Sequence, residues 1–389
     1  MNNNSKKRHI AFLLGAGFSM PVGMPTANVL NSIITSEIYN NIRLSFQDGE
    51  GNLMKSFILE KVLLESDLCG SFNYEQFFDL LTKEKESQLD EEKLLSFIER
   101  GLYGYLWKCS RGGGEEDIMK TNTIRTMYNE LLKDSSNYSD YVQNVIQWYQ
   151  DTIAKNLLVN TNNGKLVQQH PCYTGFINIV DYLVQQGYII DIHTLNHDLI
   201  LESLLSHTAL KDKVCNGFGE EKKELFGRKY TCFDISNYNK AIRIYKLHGS
   251  IDMHELSSLG GNSTRQYIQV VDGYSDGNAF MMNNQLSASI LPLFLTGKIS
   301  KEKDYSKEPF QTLLSEFGKN ISIAEKLIMV GYSGGDKGIN AILDNNYKNW
   351  SQTYVISPNA QKHCLVQNKG AKAISKGIEE LTTSDLESL

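Results

Sequence analysis

The chain has 389 residues, 41% of them hydrophobic and 22% charged, with 39 basic against 45 acidic side chains and a formal net charge of −6. That is length and apolar content for a large core and two domains, and it excludes an intrinsically disordered chain. The acidic balance argues against direct nucleic-acid binding through the protein's own field. Six scattered cysteines with no Cys-x-x-Cys pair read as reduced thiols, without a structural zinc module.

Lys6-Lys7-Arg8 followed by Ile10-Ala11-Phe12-Leu13-Leu14 superficially resembles a secretory signal. The apolar run is too short, and glycines and prolines interrupt the chain directly after it, so it reads as a buried first strand. No other stretch reaches the length of a membrane span. A cytoplasmic protein without membrane attachment is expected.

That strand breaks into Gly15-Ala16-Gly17-Phe18-Ser19 and then Met20-Pro21-Val22-Gly23-Met24-Pro25-Thr26. An apolar run opening into glycines is how a nucleotide-binding loop begins: glycine takes backbone angles closed to other residues and lets the chain approach a pyrophosphate, whose charge the amides of a following helix can meet. Met20 stands where the third small residue of the dinucleotide fingerprint belongs, and Pro21 prevents a helix from running smoothly out of the turn. An ordinary dehydrogenase start is therefore not expected. Glu37 lies at the distance of a ribose-binding acid, but no second strand precedes it, so it reads as a solvated helix residue.

From about Ala27 to Val167 the periodicity is helical, with stripes at Phe77, Phe78, Leu80 and Leu81 and at Leu94, Leu95, Ile98, Leu102, Tyr105 and Leu106. Arg111 to Asp117 and Asn160 to Gly164 read as loops. This predicts a helical insertion domain over 27–164 inside a domain made of 1–26 and 165–389.

Five segments look like buried parallel strands: His9 to Leu14, Tyr188 to Leu195, Ile242 to Leu247, Lys326 to Tyr332 and Tyr354 to Ser357. Most end in polar or glycine-containing turns. The fold class expected is α/β, a Rossmann-like parallel sheet with helices on both faces, in which ligands sit beyond the carboxyl ends of the strands. Between Glu255 and Lys307 the chain shows turns around a strand at Tyr267 to Val271 and a second candidate strand at Ser289 to Leu295. His193 and His197 are four apart, but a strand leaving into a turn separates their side chains, so they do not read as a metal pair.

Gly15-Ala16-Gly17-x-Ser19 with Gly23-x-Pro25, then Thr194-Leu195-Asn196-His197-Asp198, then His248-Gly249-Ser250, then Gly331-Tyr332-Ser333 follow in order blocks similar to the signature of the sirtuin superfamily. The resemblance covers residues 8–26 and 168–366 and is nearest to the bacterial sirtuin-like proteins of anti-phage defence, which typically destroy NAD. It implies NAD+ as substrate, with Asn196 and His248 as catalytic residues. Gly15, Ala16, Gly17, Ser19, Pro25, Thr26, Asp198, Gly331, Ser333 and Asn359 would then line the nucleotide. It also implies a homo-oligomer, in some relatives joined by a HerA-like ATPase. Sirtuin deacylases carry Asp-Phe-Arg after Gly-Ile-Pro, Gln before the Asn, and a four-cysteine zinc module. This chain has Thr26-Ala27-Asn28, Leu195, and no cysteine between Cys232 and Cys364, which argues against protein deacylation.

Cleaving the bond between nicotinamide and ribose develops oxocarbenium character, so the site needs a held pyrophosphate, a fixed ribose and a positioned nucleophile. An amide such as Asn196 supplies both a donor and an acceptor, and His248 titrates near neutrality and can take a proton from water or a ribose hydroxyl. Simpler structural roles stand beside several of these residues. Asp198 and Asp336 suit helix capping, and Ser19 and Ser333 suit either capping or ligand contact. The alternatives to an NAD glycohydrolase are a non-catalytic NAD or ADP-ribose sensor or scaffold and, last, a deacylase.

Overall fold

The computed structural model describes residues 7–47, 53–67, 72–109, 126, 128–129, 137–158, 171–225, 228–258, 265–271, 286–288, 292–297 and 299–387. The chain divides into two compact units: Met1–Thr26, Ala154–Leu295 and Glu302–Leu389 form one, and Ala27–Ile153 with Thr296–Lys301 the other.

In chain order the strands are β1 (His9–Leu14), β2 (Ile189–Thr194), β3 (Val214–Cys215), β4 (Lys223–Leu225), β5 (Arg228–Cys232), β6 (Ile242–Lys246), β7 (Met253–Ser258), β8 (Arg265–Val270), β9 (Leu286–Ala288), β10 (Lys326–Val330), β11 (Thr353–Ile356) and β12 (Lys372–Ile374). Seven of them make one sheet in the order β12-β11-β10-β1-β2-β6-β3, and every pairing in it is parallel. The chain order reverses direction at β1, between β10 on one side and β2 on the other. That is the switch point at which an open parallel sheet leaves a crevice beyond its carboxyl ends.

The strands are near-continuous apolar runs because both faces are covered. On one face the helix Phe310–Ile323 packs Leu313, Phe317 and Ile321 with Ala11, Leu13, Leu327 and Met329. On the other, Phe176 of the helix Thr174–Gln185 meets Phe12 edge to face, ring centroids 5.8 Å apart. Each such large side chain taken fully out of water stabilises the fold by about 1.5–3 kcal/mol. The fold class read from the sequence is therefore the one observed, and the five expected strands are present with ends shifted by at most two residues.

The departures lie elsewhere. The edge strands β3 and β12 have two and three residues, below the length that a periodicity can mark. β4, β5, β8, β7 and β9 form a second, antiparallel sheet around a small cluster of Tyr230, Leu256, Ile268 and Val270. Of these five, only β8 is expected from the sequence. Of the expected strand Ser289 to Leu295, 289–291 lie outside the described residues, and within 292–295 Phe294 makes one isolated bridge to Gly249.

The helical unit contains the helices Ala27–Gln47, Leu53–Asp67, Tyr74–Glu84 and Glu91–Cys109 and most of Tyr138–Leu158. Phe77, Phe78, Leu81, Leu94 and Ile98 are buried as their spacing requires, and Glu37 is exposed on the first helix. The side chains of Leu102, Tyr105 and Leu106 and the loops 111–117 and 160–164 lie outside the described residues. Thr296–Lys301 groups with this unit because Asp79 accepts hydrogen bonds from the Ile299 and Ser300 amides, both at 3.0 Å, and from Ser300 Oγ at 2.6 Å. No helix among the described residues is long and apolar enough to cross a membrane.

Two ionisable residues, Asp191 and His193, occupy the fully buried strand β2. Asp191 accepts from His9 Nδ1 at 2.7 Å, with Arg243 at 3.6 Å. His193 donates from Nδ1 to the Phe12 carbonyl at 3.1 Å, while Asn320 Nδ2 donates to its Nε2 at 3.2 Å. A donor aimed at Nε2 requires the neutral ring, and burial pushes the His193 pKa down to about 4. The unfolded chain titrates this side chain near 6.5. Between those values the unfolded state binds the extra proton, so the stabilisation present above pH 6.5 is lost as pH falls toward 4. The expected loss is roughly 2–3 kcal/mol. Urea unfolding of wild type and His193→Gln across pH 7.5 to 4 measures it: the gap between the two proteins should narrow by that amount on acidification.

Candidate active site

All of the residues singled out for nucleotide chemistry fall in the sheet unit, most of them at the carboxyl ends of its strands. β1 ends at Leu14, and the Gly15 and Gly17 amides donate to Val330 and Gly331 carbonyls at 3.0 and 3.2 Å. The exits of β1 and β10 are thus laced together backbone to backbone. A Cβ on Gly15 would stand 2.6 Å from the Gly331 carbonyl oxygen, one on Gly17 2.7 Å from Gly331 Cα, and one on Gly331 2.5 Å from Gly17 Cα. Only Gly331, at φ +63, also needs left-handed backbone.

This corrects the reason for the first two glycines. Gly15 sits at φ −112, ordinary extended backbone, so the approach of the β10 loop and not an unusual angle excludes a side chain there. Ala16–Phe18 and Met20–Val22 are single 3₁₀ turns, the second with Pro21 in its first turn. The amides of Phe18 and Ser19 donate to the Gly15 and Ala16 carbonyls. The amides of Phe18, Ser19, Gly23 and Met24 are thus engaged by carbonyls of the loop itself.

Asn196, at the exit of β2, is the side chain that this loop holds. Its Nδ2 donates to the Gly15 carbonyl and to Ser19 Oγ, both at 3.0 Å, and its own amide donates to Thr194 Oγ1 at 3.1 Å. Both amide hydrogens are engaged, and Oδ1 takes no hydrogen bond from the described residues. Ser19 is 1% exposed and lies beneath Asn196. Asp198 accepts from the Ile200 amide at 3.0 Å at the start of the helix Ile200–Ser206, and its carbonyl accepts from Lys246 Nζ.

β6 is the neighbour of β2, and its exit carries His248. Gly249 turns the chain at φ +78, where a Cβ would meet the Leu293 carbonyl oxygen at 2.1 Å. The Ile251 amide and Ser250 Oγ both donate to the His197 carbonyl, at 3.1 and 3.4 Å, tying the exits of β2 and β6 together. His248 is buried, with Nε2 3.0 Å from the Tyr305 hydroxyl and 3.4 Å from Asp336 Oδ2. Tyr305 OH is 3.0 Å from both Asp336 oxygens. Burial, then the charge of Asp336, raises the Tyr305 pKa well above that of a free phenol.

Asp336 also caps the helix Lys337–Asn346 by accepting from the Ile339 amide at 3.0 Å, the role its spacing suggests. Its second partnership is not visible in the sequence, and neither is Tyr305, which lies in a stretch without a readable pattern. Ala16, Ser333 and Asn359 are exposed at the exits of β1, β10 and β11, and Pro25 and Thr26 are half-buried just before the helical unit begins. His193 and His197 part company as expected of a strand end: one is sealed under Phe12, the other lies tilted against Phe294, ring centroids 4.8 Å apart. Among the described residues no three His, Cys, Asp or Glu side chains converge as a metal site would need.

The glycine packing has a measurable signature. Gly331→Ala meets both a left-handed backbone and the Gly17 backbone and should lose about 3 kcal/mol or more of unfolding free energy. Gly187, at φ +81 with nothing within 4 Å of where a Cβ would stand, should lose only about 1–2 kcal/mol as Gly187→Ala. Chemical denaturation of the two variants separates packing from backbone strain.

Residues 191–379 match the family model described as SIR2-like domain. No curated protein matches the chain. Solved structures that do match include a mutant Sir2 homologue in complex with 2'-O-acetyl ADP ribose, at 11% identity and a TM-score of 0.38, covering 99% of this chain and 94% of that one. Another is a His-to-Asn mutant of a Sir2 homologue in complex with ADP ribose, at 10% identity and a TM-score of 0.38, covering 98% and 94%. The segment 191–379, which carries Asn196 and His248, is similar to the SIR2-like domain.

Proposed function

We propose that this protein is an NAD+ glycohydrolase that releases nicotinamide, with Asn196 and His248 as its catalytic residues. The observation that carries the reading is how Asn196 is held. Its two amide hydrogens are engaged by Gly15 and Ser19, so the side chain is fixed at the strand ends with Oδ1 as the acceptor for a water or a substrate hydroxyl. His248 follows on the adjacent strand, within a stitched pair of turns.

In the reaction the bond between ribose C1' and the nicotinamide nitrogen breaks, and its electron pair leaves with nicotinamide. The oxygen of water bonds to C1', and its proton passes to His248 and then to solvent. Asn196 Oδ1 orients that water, and both groups act on the oxocarbenium-like transition state. NAD+ is substrate here and not a resident cofactor. The exits of β1, β10 and β11, with Gly15, Ala16, Gly17, Gly331, Ser333 and Asn359, would hold its dinucleotide part, and Ser19 would act through Asn196.

Destroying NAD+ without restraint would kill the cell that makes the enzyme. We therefore place the activity in anti-phage defence, held off until infection, with a homo-oligomer or a HerA-like ATPase partner as the restraint. The chain lacks the cysteines of a deacylase zinc module between Cys232 and Cys364, which disfavours acyl-lysine substrates.

Nicotinamide release from NAD+, measured by chromatography for the protein alone and with the neighbouring gene's product, tests this. Asn196→Ala and His248→Ala should each lower the rate by about 100-fold or more in protein that circular dichroism shows to be folded. Undiminished release in both variants would overturn the assignment of these two residues.

A further inference from the structure

His248 reaches Asp336 by two routes, directly at 3.4 Å and through the Tyr305 hydroxyl, which lies 3.0 Å from His248 Nε2 and 3.0 Å from each Asp336 oxygen. A phenol has one hydrogen to give. Were that hydrogen directed at His248, the carboxylate would face only the lone pairs of the tyrosine oxygen at hydrogen-bond distance, a repulsive contact. The hydroxyl therefore donates to Asp336, and its oxygen accepts from His248. On either route Nε2 is the donor. The neutral imidazole is then the Nε2–H form, with its lone pair on Nδ1.

The two partners are themselves held. The Tyr305 ring lies against Gly338, where a Cβ would stand 2.1 Å from Tyr305 Cε2, and is stacked on His248 at 6.0 Å with 25° between planes. Asp336 is anchored by its cap on the Ile339 amide and by its place on the loop that Gly331 fixes to β1. Titratable groups that face the His248 ring include Tyr305, Asp336 from the exit of β10, and His197, whose ring is 6.2 Å away at the exit of β2.

We propose that Tyr305 and Asp336 are positioning residues that lock His248 as the Nε2–H tautomer, which makes Nδ1 the atom that takes the proton and sets the Asp336 charge beside the imidazolium that results. This rests on the reading of His248 as the proton acceptor. The step balances without any further reactant: the proton comes from the attacking water, and the electron pair of the broken glycosidic bond leaves with nicotinamide. A carboxylate near an imidazolium favours the charged form, so removing its charge must weaken proton binding at His248. It also frees the ring to exchange tautomers.

The test is nitrogen NMR on the full-length protein labelled with ¹⁵N-histidine, with the His248 signals assigned by their loss in His248→Asn. Wild type should show the neutral Nε2–H pattern. Asp336→Asn keeps an oxygen for the Ile339 amide, and Tyr305→Phe keeps the ring against Gly338, so both should fold. Each should shift the His248 titration about one pH unit lower, a tenfold weaker affinity for the proton, and mix the two tautomers. In nicotinamide release the acid limb of kcat should move by the same amount to lower pH, with KM changed less than about twofold. Wild-type titration and tautomer in Asp336→Asn would overturn the proposal, and the same result in Tyr305→Phe alone would remove Tyr305 from the relay. Wild type that releases no nicotinamide would refute the proposed activity, while the NMR result would still decide the relay.

Discussion

The contact on which the site depends is the approach of two backbones, Gly15 and Gly17 at the end of β1 and Gly331 at the end of β10. Parallel strands exit side by side at about 4.8 Å, and their loops must normally splay to make room for side chains. Here three glycines remove that need, and the loops are joined by amide-to-carbonyl bonds of 3.0 and 3.2 Å. The switch point of the sheet closes into a rigid seam. Everything that looks catalytic is referred to that seam: Asn196 is hydrogen-bonded to it from β2, and Asp336 leaves it on the β10 side.

The part of the fold that is legible in the sequence is the part set by burial. β1, β2, β6, β10 and β11 are covered on both faces, so they read as unbroken apolar runs whatever their neighbours are. β4 and β5, with Lys223-Glu224-Leu225 and Arg228-Lys229-Tyr230-Thr231-Cys232, bury a single narrow cluster, and their polar residues resemble a loop until the pairing with β8 is known. The glycines are legible as a turn but not for their reason. A sequence shows that a side chain is absent, and only the register of β1 on β10 shows which atoms would have collided with it.

The residues proposed to act in the reaction divide along the same line. Asn196 and His248 stand directly after strands, where position alone marks them. Tyr305 lies in the short stretch between the helices Ile299–Asp304 and Phe310–Ile323, with no spacing that ties it to His248, 57 residues away in the chain. Asp336 shows why one explanation for a residue should not end the search. Its cap on the Lys337–Asn346 helix accounts for the sequence pattern completely, yet a carboxylate has about four acceptor sites, and the cap occupies one.

Two buried histidines of the same sheet bring out the principle that separates structure from chemistry. His193 and His248 are both nearly inaccessible, both at or next to strand ends, and both have Nε2 engaged. The partner of His193 Nε2 is the amide of Asn320, a donor, which is compatible only with a ring lacking a proton there. Protonation would cost a hydrogen bond as well as desolvation, and the ring stays neutral far below physiological pH. The partners of His248 Nε2 are a phenol oxygen and a carboxylate, which accept, and a second proton on that ring meets a negative charge instead of a competing N–H. Burial by itself would silence both. The sign of the partner, donor or acceptor, is what makes one histidine a fixed strut of β2 and suits the other to the proton transfer proposed for it.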